Sequence, residues 1–81
     1  MKFKVSVLQH RKKWGIHTIE GANITQVENG LLELLCHTLD VDMQDIRCFY
    51  TIKEDNYRRL LLHVKSEEEV ITLRIELKEM N

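Results

Sequence analysis

The residues of this 81-residue chain that are suited to metal binding include Cys36, His37, Cys48 and His63. Zinc requires donor groups that converge on one point at about 2.0–2.3 Å. Cys36 and His37 are neighbours in a predicted helix, where successive side chains diverge by roughly 100°. Cys48 and His63 are predicted to point to opposite faces of a sheet. We therefore predict no metal site and no cofactor.

A cysteine with a histidine is also the minimum set for nucleophilic catalysis. No glycine-rich loop that could stabilise an oxyanion accompanies either cysteine, and so short a chain rarely encloses a deep cleft. The acidic group Asp40, Asp42 and Asp45 lacks the glycine and the closing glutamate of an EF-hand calcium loop. Asp42 is instead expected to cap a short turn. We predict that the protein is not an enzyme and has no small-molecule substrate.

The densest cationic cluster is His10-Arg11-Lys12-Lys13-Trp14, which is typical of a polar turn followed by a strand. Its cations and the Trp14 ring could lie along a phosphate backbone. The cluster could also be a solvated turn from which Trp14 packs inward, and this second interpretation is favoured.

The periodicity of the apolar residues predicts the first two strands. Phe3, Val5 and Val7 alternate with polar residues, which is the period of a strand with one buried face. After the polar turn, residues 14–20 are expected to form the returning strand of a hairpin. Gly21 follows and should end it.

A helix is predicted after this hairpin. Thr25 and Glu28 match the ends of a capping box, so the helix should begin there and run to about Leu39 or Asp40. Gly30, which lowers helix stability, is interpreted as the mark of a close packing contact. The apolar stripe of this helix is expected to consist of Val27, Leu31, Leu34, Leu35 and Leu39.

Three further strands are predicted downstream. Alternation over 46–53 and 57–65 predicts a hairpin with its turn at Glu54-Asp55-Asn56. The final segment is ambiguous, since Ser66 to Glu69 also matches a capping box that could begin a helix. The unbroken alternation of Ile71, Leu73, Ile75 and Leu77 favours a strand.

These elements predict a single α+β domain over residues 1–81, in the order β-β-α-β-β-β. The sheet should be mostly antiparallel, with one helix packed on one face. The uncovered face must then meet water, a partner or a second copy of the chain.

The uncovered face is predicted to be basic even though the net charge of the chain is −1. Its aromatic and apolar members should be Phe49, Tyr57, Leu61 and His63. Glu76 is the main acidic residue expected there. The basic residues assigned to it are Lys2, Lys4, Arg47, Lys53, Arg59, Arg74 and Lys78.

Exposed aromatics beside arginines are typical of the centres of protein interfaces. The sequence therefore predicts a binding or regulatory protein that acts through an exposed face or edge of its sheet and self-associates as a homo-oligomer. The expected contact centre consists of Phe49, Tyr57, Arg59 and Leu61, with Arg47 and Arg74 orienting the partner.

The alternative is a module that binds single-stranded nucleic acid through the same face. Cations would follow the phosphates while aromatic rings stack on bases. The residues that would hold nucleic acid are Lys2, Lys4, Arg11, Lys12, Lys13 and Trp14.

A cytoplasmic, soluble protein is expected from the rest of the sequence. The first residues alternate charged and apolar types and lack the apolar run of a signal peptide. No stretch approaches the roughly 18–20 apolar residues of a membrane-spanning helix. Cys36 and Cys48 are expected to be buried, reduced thiols.

Overall fold

Alternating apolar residues build a six-stranded antiparallel sheet with one helix packed against it, which confirms the predicted α+β class. The computed structural model describes residues 1–15 and 18–80. A short 3₁₀ turn, Met43–Asp45, follows the helix, and Asp42 is its N-cap residue as predicted. The elements are β1 Lys2–Gln9, β2 Lys12–Lys13, β3 Thr18–Glu20, α1 Ile24–Leu39, β4 Ile46–Lys53, β5 Tyr57–Lys65 and β6 Val70–Met80.

The strands follow the order β2-β1-β6-β5-β4, and β3 also pairs with β1. The first long strand thus lies beside the last, with Val5 opposite Leu77. The predicted hairpin of β4 and β5 is present, and the predicted final strand is β6. The Ser66 amide and hydroxyl both donate to the Glu69 carbonyl, so the possible helix start is a tight turn instead.

The first hairpin differs from the prediction. Its turn is confined to His10 and Arg11, with His10 at a left-handed φ of 55°, because Lys12 and Lys13 already pair with Gln9 and Leu8. The strand predicted over 14–20 is present as Thr18–Glu20, and its positions 16–17 lie outside the described residues.

The helix begins earlier than the sequence pattern predicted. Asn23 is the N-cap, and its side chain accepts a hydrogen bond from the Gln26 amide at 2.9 Å. Thr25 lies inside the helix, where its hydroxyl accepts a hydrogen bond from Arg58. The capping-box prediction at Thr25 and Glu28 is therefore wrong, because both side chains serve contacts with the sheet.

The apolar stripe and the glycine of the helix also need correction. Leu32 is buried, whereas Leu34 is 45% exposed. A Cβ on Gly30 would meet no atom within 4 Å, so Gly30 marks no close contact. The close contact is at Gly21, where a Cβ would lie 2.7 Å from Val27 Cγ2.

A β-bulge interrupts β4 and changes which side chains reach the uncovered face. Tyr50 pairs with Leu60, but Ile52 pairs with Arg59, so Thr51 is the extra residue. After the bulge, Ile52 faces away from the helix. Lys53 lies opposite Arg58 and places its Nζ 4.7 Å from the centre of the Tyr50 ring, so its predicted position on the uncovered face is wrong.

The core lies between α1 and the sheet. It is formed by apolar side chains from the helix and from β1, β5 and β6. In these three strands, buried side chains alternate with side chains that are less buried. Within the described part of the chain, no helix combines the length and the apolar character that crossing a bilayer requires. The fully buried side chains are Phe3, Leu31, Leu35, Leu60, Leu62, Leu73, Ile75, Leu77, Val5, Val27 and Val64.

Candidate functional site

The face of the sheet opposite α1, here called the open face, carries the even-numbered residues of β1 and β6 and the odd-numbered residues of β5. Directly paired residues of neighbouring strands project on the same side of a sheet. Strand register adds Arg47, Phe49 and Ile52 from β4, together with Lys13 from β2 and Glu20 from β3. The pairing therefore determines which side chains this surface presents together.

An apolar row with one arginine crosses the open face. Leu8 pairs with Arg74, Arg74 with Leu61, and Leu61 with Phe49, so these side chains span β1, β6, β5 and β4. Phe49 is 48% exposed, while Leu8 and Leu61 are half-buried. At about 4.8 Å between strands, the row is roughly 14 Å long. We call it the Leu8–Phe49 row.

All six residues predicted to bind the partner lie on the open face. Arg47 pairs with His63, whose ring lies 4.9 Å from the Phe49 ring, centre to centre, at a tilt of 54°. Tyr57 and Arg59 lie on the same side of β5 as Leu61. The structure thus brings together Arg47, Phe49, Tyr57, Arg59, Leu61 and Arg74.

Tyr57, Arg59 and Glu76 form a hydrogen-bonded group beside this row. The Tyr57 hydroxyl donates to Glu76 Oε2 at 2.8 Å, and Arg59 Nη2 donates to the Tyr57 oxygen at 3.0 Å. Arg59 Nη2 also lies 3.6 Å from Glu76 Oε2. Because this ion pair is exposed, it contributes at most about 1 kcal/mol to stability. It does partly neutralise Arg59.

A groove of about 570 Å³ follows the open face. Leu8 and Leu61 contribute apolar side chains to its lining. The charged side chains that line it are Lys13, Arg59, Arg74 and Glu76.

The open face is strongly cationic. Its acidic residues are Glu76, which is paired with Arg59, and Glu20 at the edge. Across residues 1–15 and 18–80, the ion pairs are Arg58–Glu28 and Arg59–Glu76, so Lys13, Arg47 and Arg74 have no carboxylate partner there. The basic residues on this face are Lys2, Lys4, Lys13, Arg47, Arg59, Lys65, Arg74 and Lys78.

The residues of the predicted nucleic-acid site are divided between surfaces. Lys2, Lys4 and Lys13 lie on the open face, but Lys12 pairs with Gln9 and projects from the other side. Trp14 packs against the core, which confirms the inward interpretation of this residue. Arg11 is exposed in the turn, at the opposite end of β1 from Lys2.

The sequence pattern missed three contributors to the groove and its surroundings. Leu8 continues the alternation of β1 and could have been assigned from it. Lys13 belongs to the predicted turn, but its pairing with Leu8 in β2 places it on the open face. Ile52 reaches the open face only because of the bulge, which no residue type in β4 signals.

A second polar group lies on the helix side. Arg58 Nη1 donates to Glu28 Oε1 at 3.3 Å, and Arg58 Nη2 donates to the Thr25 hydroxyl at 3.1 Å. The Tyr50 hydroxyl donates to Glu28 Oε2 at 2.5 Å. Burial, followed by the hydrogen bond and charge of Glu28, raises the pKa of Tyr50 above its usual range. The group joins α1 to β4 and β5.

The thiols are not activated. Cys36 and Cys48 are free and half-buried. Burial raises the pKa of both, helped by Asp42, Asp45 and Glu33 near Cys36 and by Glu28 near Cys48. A raised pKa lowers the fraction of reactive thiolate at neutral pH. Among the described residues, no three His, Cys, Asp or Glu side chains come close enough to share a metal ion.

Comparison with known proteins yields no relative. No family model, curated protein or solved structure matches the chain.

Proposed function

We propose that this chain is a non-enzymatic binding protein that recognises a protein partner through the open face of its sheet. The observation that carries the proposal is the Leu8–Phe49 row. It places a half-exposed aromatic ring and two aliphatic side chains around Arg74, and aromatic residues and arginine are enriched where interfaces gain most of their binding energy. Arg47 and Arg59 flank the row, and Arg47 and Arg74 orient the partner.

Among the described residues, the two cysteines lack the lowered pKa of an activated nucleophile, which supports a binding role over catalysis. The raised pKa values of Cys36 and Cys48 disfavour a thiolate nucleophile. The groove on the open face is lined by aliphatic side chains, cations and Glu76, and the Glu76 carboxylate is already bonded to Tyr57 and Arg59. A general acid or base must instead be within reach of a substrate proton. The two free thiols also support action in a reducing compartment such as the cytoplasm.

The test compares two exposed apolar residues on opposite sides of the molecule. Phe49 on the open face and Leu34 on the helix are 48% and 45% exposed. Wild type, Phe49→Asp and Leu34→Asp are immobilised, and the proteins that each retains from an extract of the source cells are compared. We expect wild type and Leu34→Asp to retain a common set that Phe49→Asp loses. Identical sets from all three proteins would contradict a role for the open face.

Self-association is proposed through the edge of the sheet rather than through the open face. β4 is the last strand in the order, and its outer edge pairs with no strand of the described chain. An open edge is a template for pairing with another copy. The regular part of β4 before the bulge, from Ile46 to Tyr50, offers the backbone groups for this contact.

Sedimentation over a range of protein concentrations tests the edge proposal. Because backbone pairing involves no net charge, we expect a dimer whose dissociation constant changes little with salt. A mass equal to that of one chain at every concentration would reject the self-association proposal. It would not affect the partner-binding proposal.

Single-stranded nucleic acid is the second candidate for the open face. Lys2, Lys4 and Lys13 on the same surface as Phe49 and Tyr57 favour it, since cations beside aromatic rings bind such strands. The test is titration with an oligothymidylate. Binding that falls steeply between about 50 and about 200 mM salt would support this candidate.

A further inference from the structure

We propose that the open face binds an acidic segment of another protein, one that carries an apolar or aromatic anchor residue. This inference rests on the proposed function and specifies its partner. The anchor would contact the Leu8–Phe49 row, and carboxylates on either side of it would face Lys13, Arg74 and Arg47.

The positions of the unpaired cations support an acidic partner. Lys13 pairs with Leu8 at one end of the row, Arg74 lies between Leu8 and Leu61, and Arg47 lies near Phe49 at the other end. Each of these three cations can bind a carboxylate of a partner without first breaking an internal ion pair. Arginine binds carboxylates with two parallel hydrogen bonds, which gives Arg74 a defined orienting role.

A second copy of this chain does not complement the open face. A two-fold axis would place this cationic surface against itself, and like charges brought together across an interface oppose binding. Glu76 cannot offset this repulsion, because it is already shared between Arg59 and Tyr57. An acidic partner is therefore the better complement.

Nucleic acid also fits the groove less well than an acidic protein segment does. The apolar side chains of the open face that line the groove, Leu8 and Leu61, are aliphatic, which suits a side-chain anchor better than a stacked base. The Tyr57 hydroxyl is held by Glu76.

The probe is a labelled peptide of about eight residues, made of aspartate and glutamate around one central phenylalanine. Such a peptide is roughly 27 Å long when extended, which is enough to span the Leu8–Phe49 row of roughly 14 Å. Binding is followed by fluorescence anisotropy. Matched probes replace the acids by their amides, or replace the phenylalanine by serine. We expect the acidic phenylalanine peptide to bind with a Kd below about 1 mM, and both matched probes to bind at least about tenfold more weakly.

Neighbouring lysines supply the matched pair of variants. Lys12 and Lys13 are adjacent and exposed, but they project from opposite faces of the sheet. We expect Lys13→Glu and Arg74→Glu to lower the affinity for the acidic peptide at least about tenfold. Lys12→Glu should change this affinity less than about twofold. All three variants change the net charge equally, so overall charge cannot explain a difference.

Several results would overturn this inference, and they separate it from the proposed function. If the amide peptide bound as tightly as the acidic peptide, the partner would not need to be acidic, but the open face would still bind protein. If Lys12→Glu lowered the peptide affinity as much as Lys13→Glu and Arg74→Glu do, the attraction would be non-specific. Binding of oligothymidylate but of no peptide would reject both proposals. If Arg74→Glu abolished self-association, the occupant of the open face would be a second copy of the chain. If none of the probes bound, the acidic segment would also be rejected as the partner.

Discussion

At the scale of single residues, Glu28 accepts hydrogen bonds from Arg58 on β5 and from Tyr50 on β4. The side chains of Glu28 and Arg58 are each only 8% exposed. Burying charged groups is unfavourable unless they are paired, so each of these side chains depends on the other. Their importance is therefore best measured by removing one partner.

We expect Glu28→Ala to lower the free energy of unfolding by about 3–5 kcal/mol, because it leaves Arg58 buried without a carboxylate. Denaturant unfolding measures this change. Glu33→Ala, an exposed change on the same helix, should stay within about 0.5 kcal/mol of wild type. If Glu28→Ala prevents folding, the double variant Glu28→Leu with Arg58→Met should restore it. Equal effects of Glu28→Ala and Glu33→Ala would contradict the role of the buried pair.

The raised pKa of Tyr50 leads to a prediction for alkaline pH. Because its pKa is raised in the folded protein, the folded state keeps the phenolic proton where the unfolded chain loses it. The stability that this group provides is complete below about pH 10, the ordinary pKa of tyrosine. It is lost as the pH rises further. We expect the unfolding free energy of wild type to fall more steeply above about pH 10 than that of Tyr50→Phe. Parallel curves would show that Tyr50 is not held by Glu28 in solution.

At the scale of elements, the start of α1 illustrates how one segment can satisfy two sequence patterns. Asn23 and Thr25 are both good N-cap residues, and each is followed three residues later by Gln or Glu. The structure uses Asn23, which frees Thr25 and Glu28 to contact Arg58. Competition between local capping and sheet contacts therefore decides where the helix begins.

Two asparagines of this helix allow the cap to be tested with the same chemical change. Asn23→Ala should lower stability by about 1 kcal/mol, because the Gln26 amide loses its acceptor. Asn29→Ala, at an exposed position inside the helix, should be neutral or stabilise by a few tenths of a kcal/mol. Thermal unfolding with helix content followed by circular dichroism measures both. A neutral Asn23→Ala would contradict the assigned cap.

At the scale of the whole molecule, the sheet order places strands from the two ends of the chain at its centre. β6 lies between β1 and β5, whereas β4 has one outer edge. Backbone groups bonded on both sides should open to solvent only in global unfolding, whereas unpaired edge groups exchange more easily.

We expect amide hydrogen exchange to be slowest in β6 and fastest, among the long strands, at the amides of β4 that point away from β5. If β4 also forms the proposed dimer contact, these amides should become protected as the protein concentration increases. Exchange measured by NMR at low and high concentration provides the test. A dimer that leaves β4 exchange unchanged would move the self-association contact to another surface.

Much of this architecture follows from local patterns. Alternation of Phe3, Val5 and Val7, and of Leu73, Ile75 and Leu77, predicted strands that the structure confirms. The same alternation places Arg47, Phe49, Leu61 and Arg74 on one face without reference to the strand pairing. Such patterns succeed because a strand that buries one face must place apolar side chains at every second residue.

The sequence by itself therefore determined the fold class, the location of the long strands and the composition of most of the open face. Only the tertiary structure decided that the bulge at Thr51 exchanges Ile52 and Lys53 between faces, and that Lys12 and Lys13 diverge. It also assigned Glu28 and Thr25 to Arg58 rather than to the helix cap. These features depend on register and on contacts between residues that are distant in sequence, which a local periodicity does not encode.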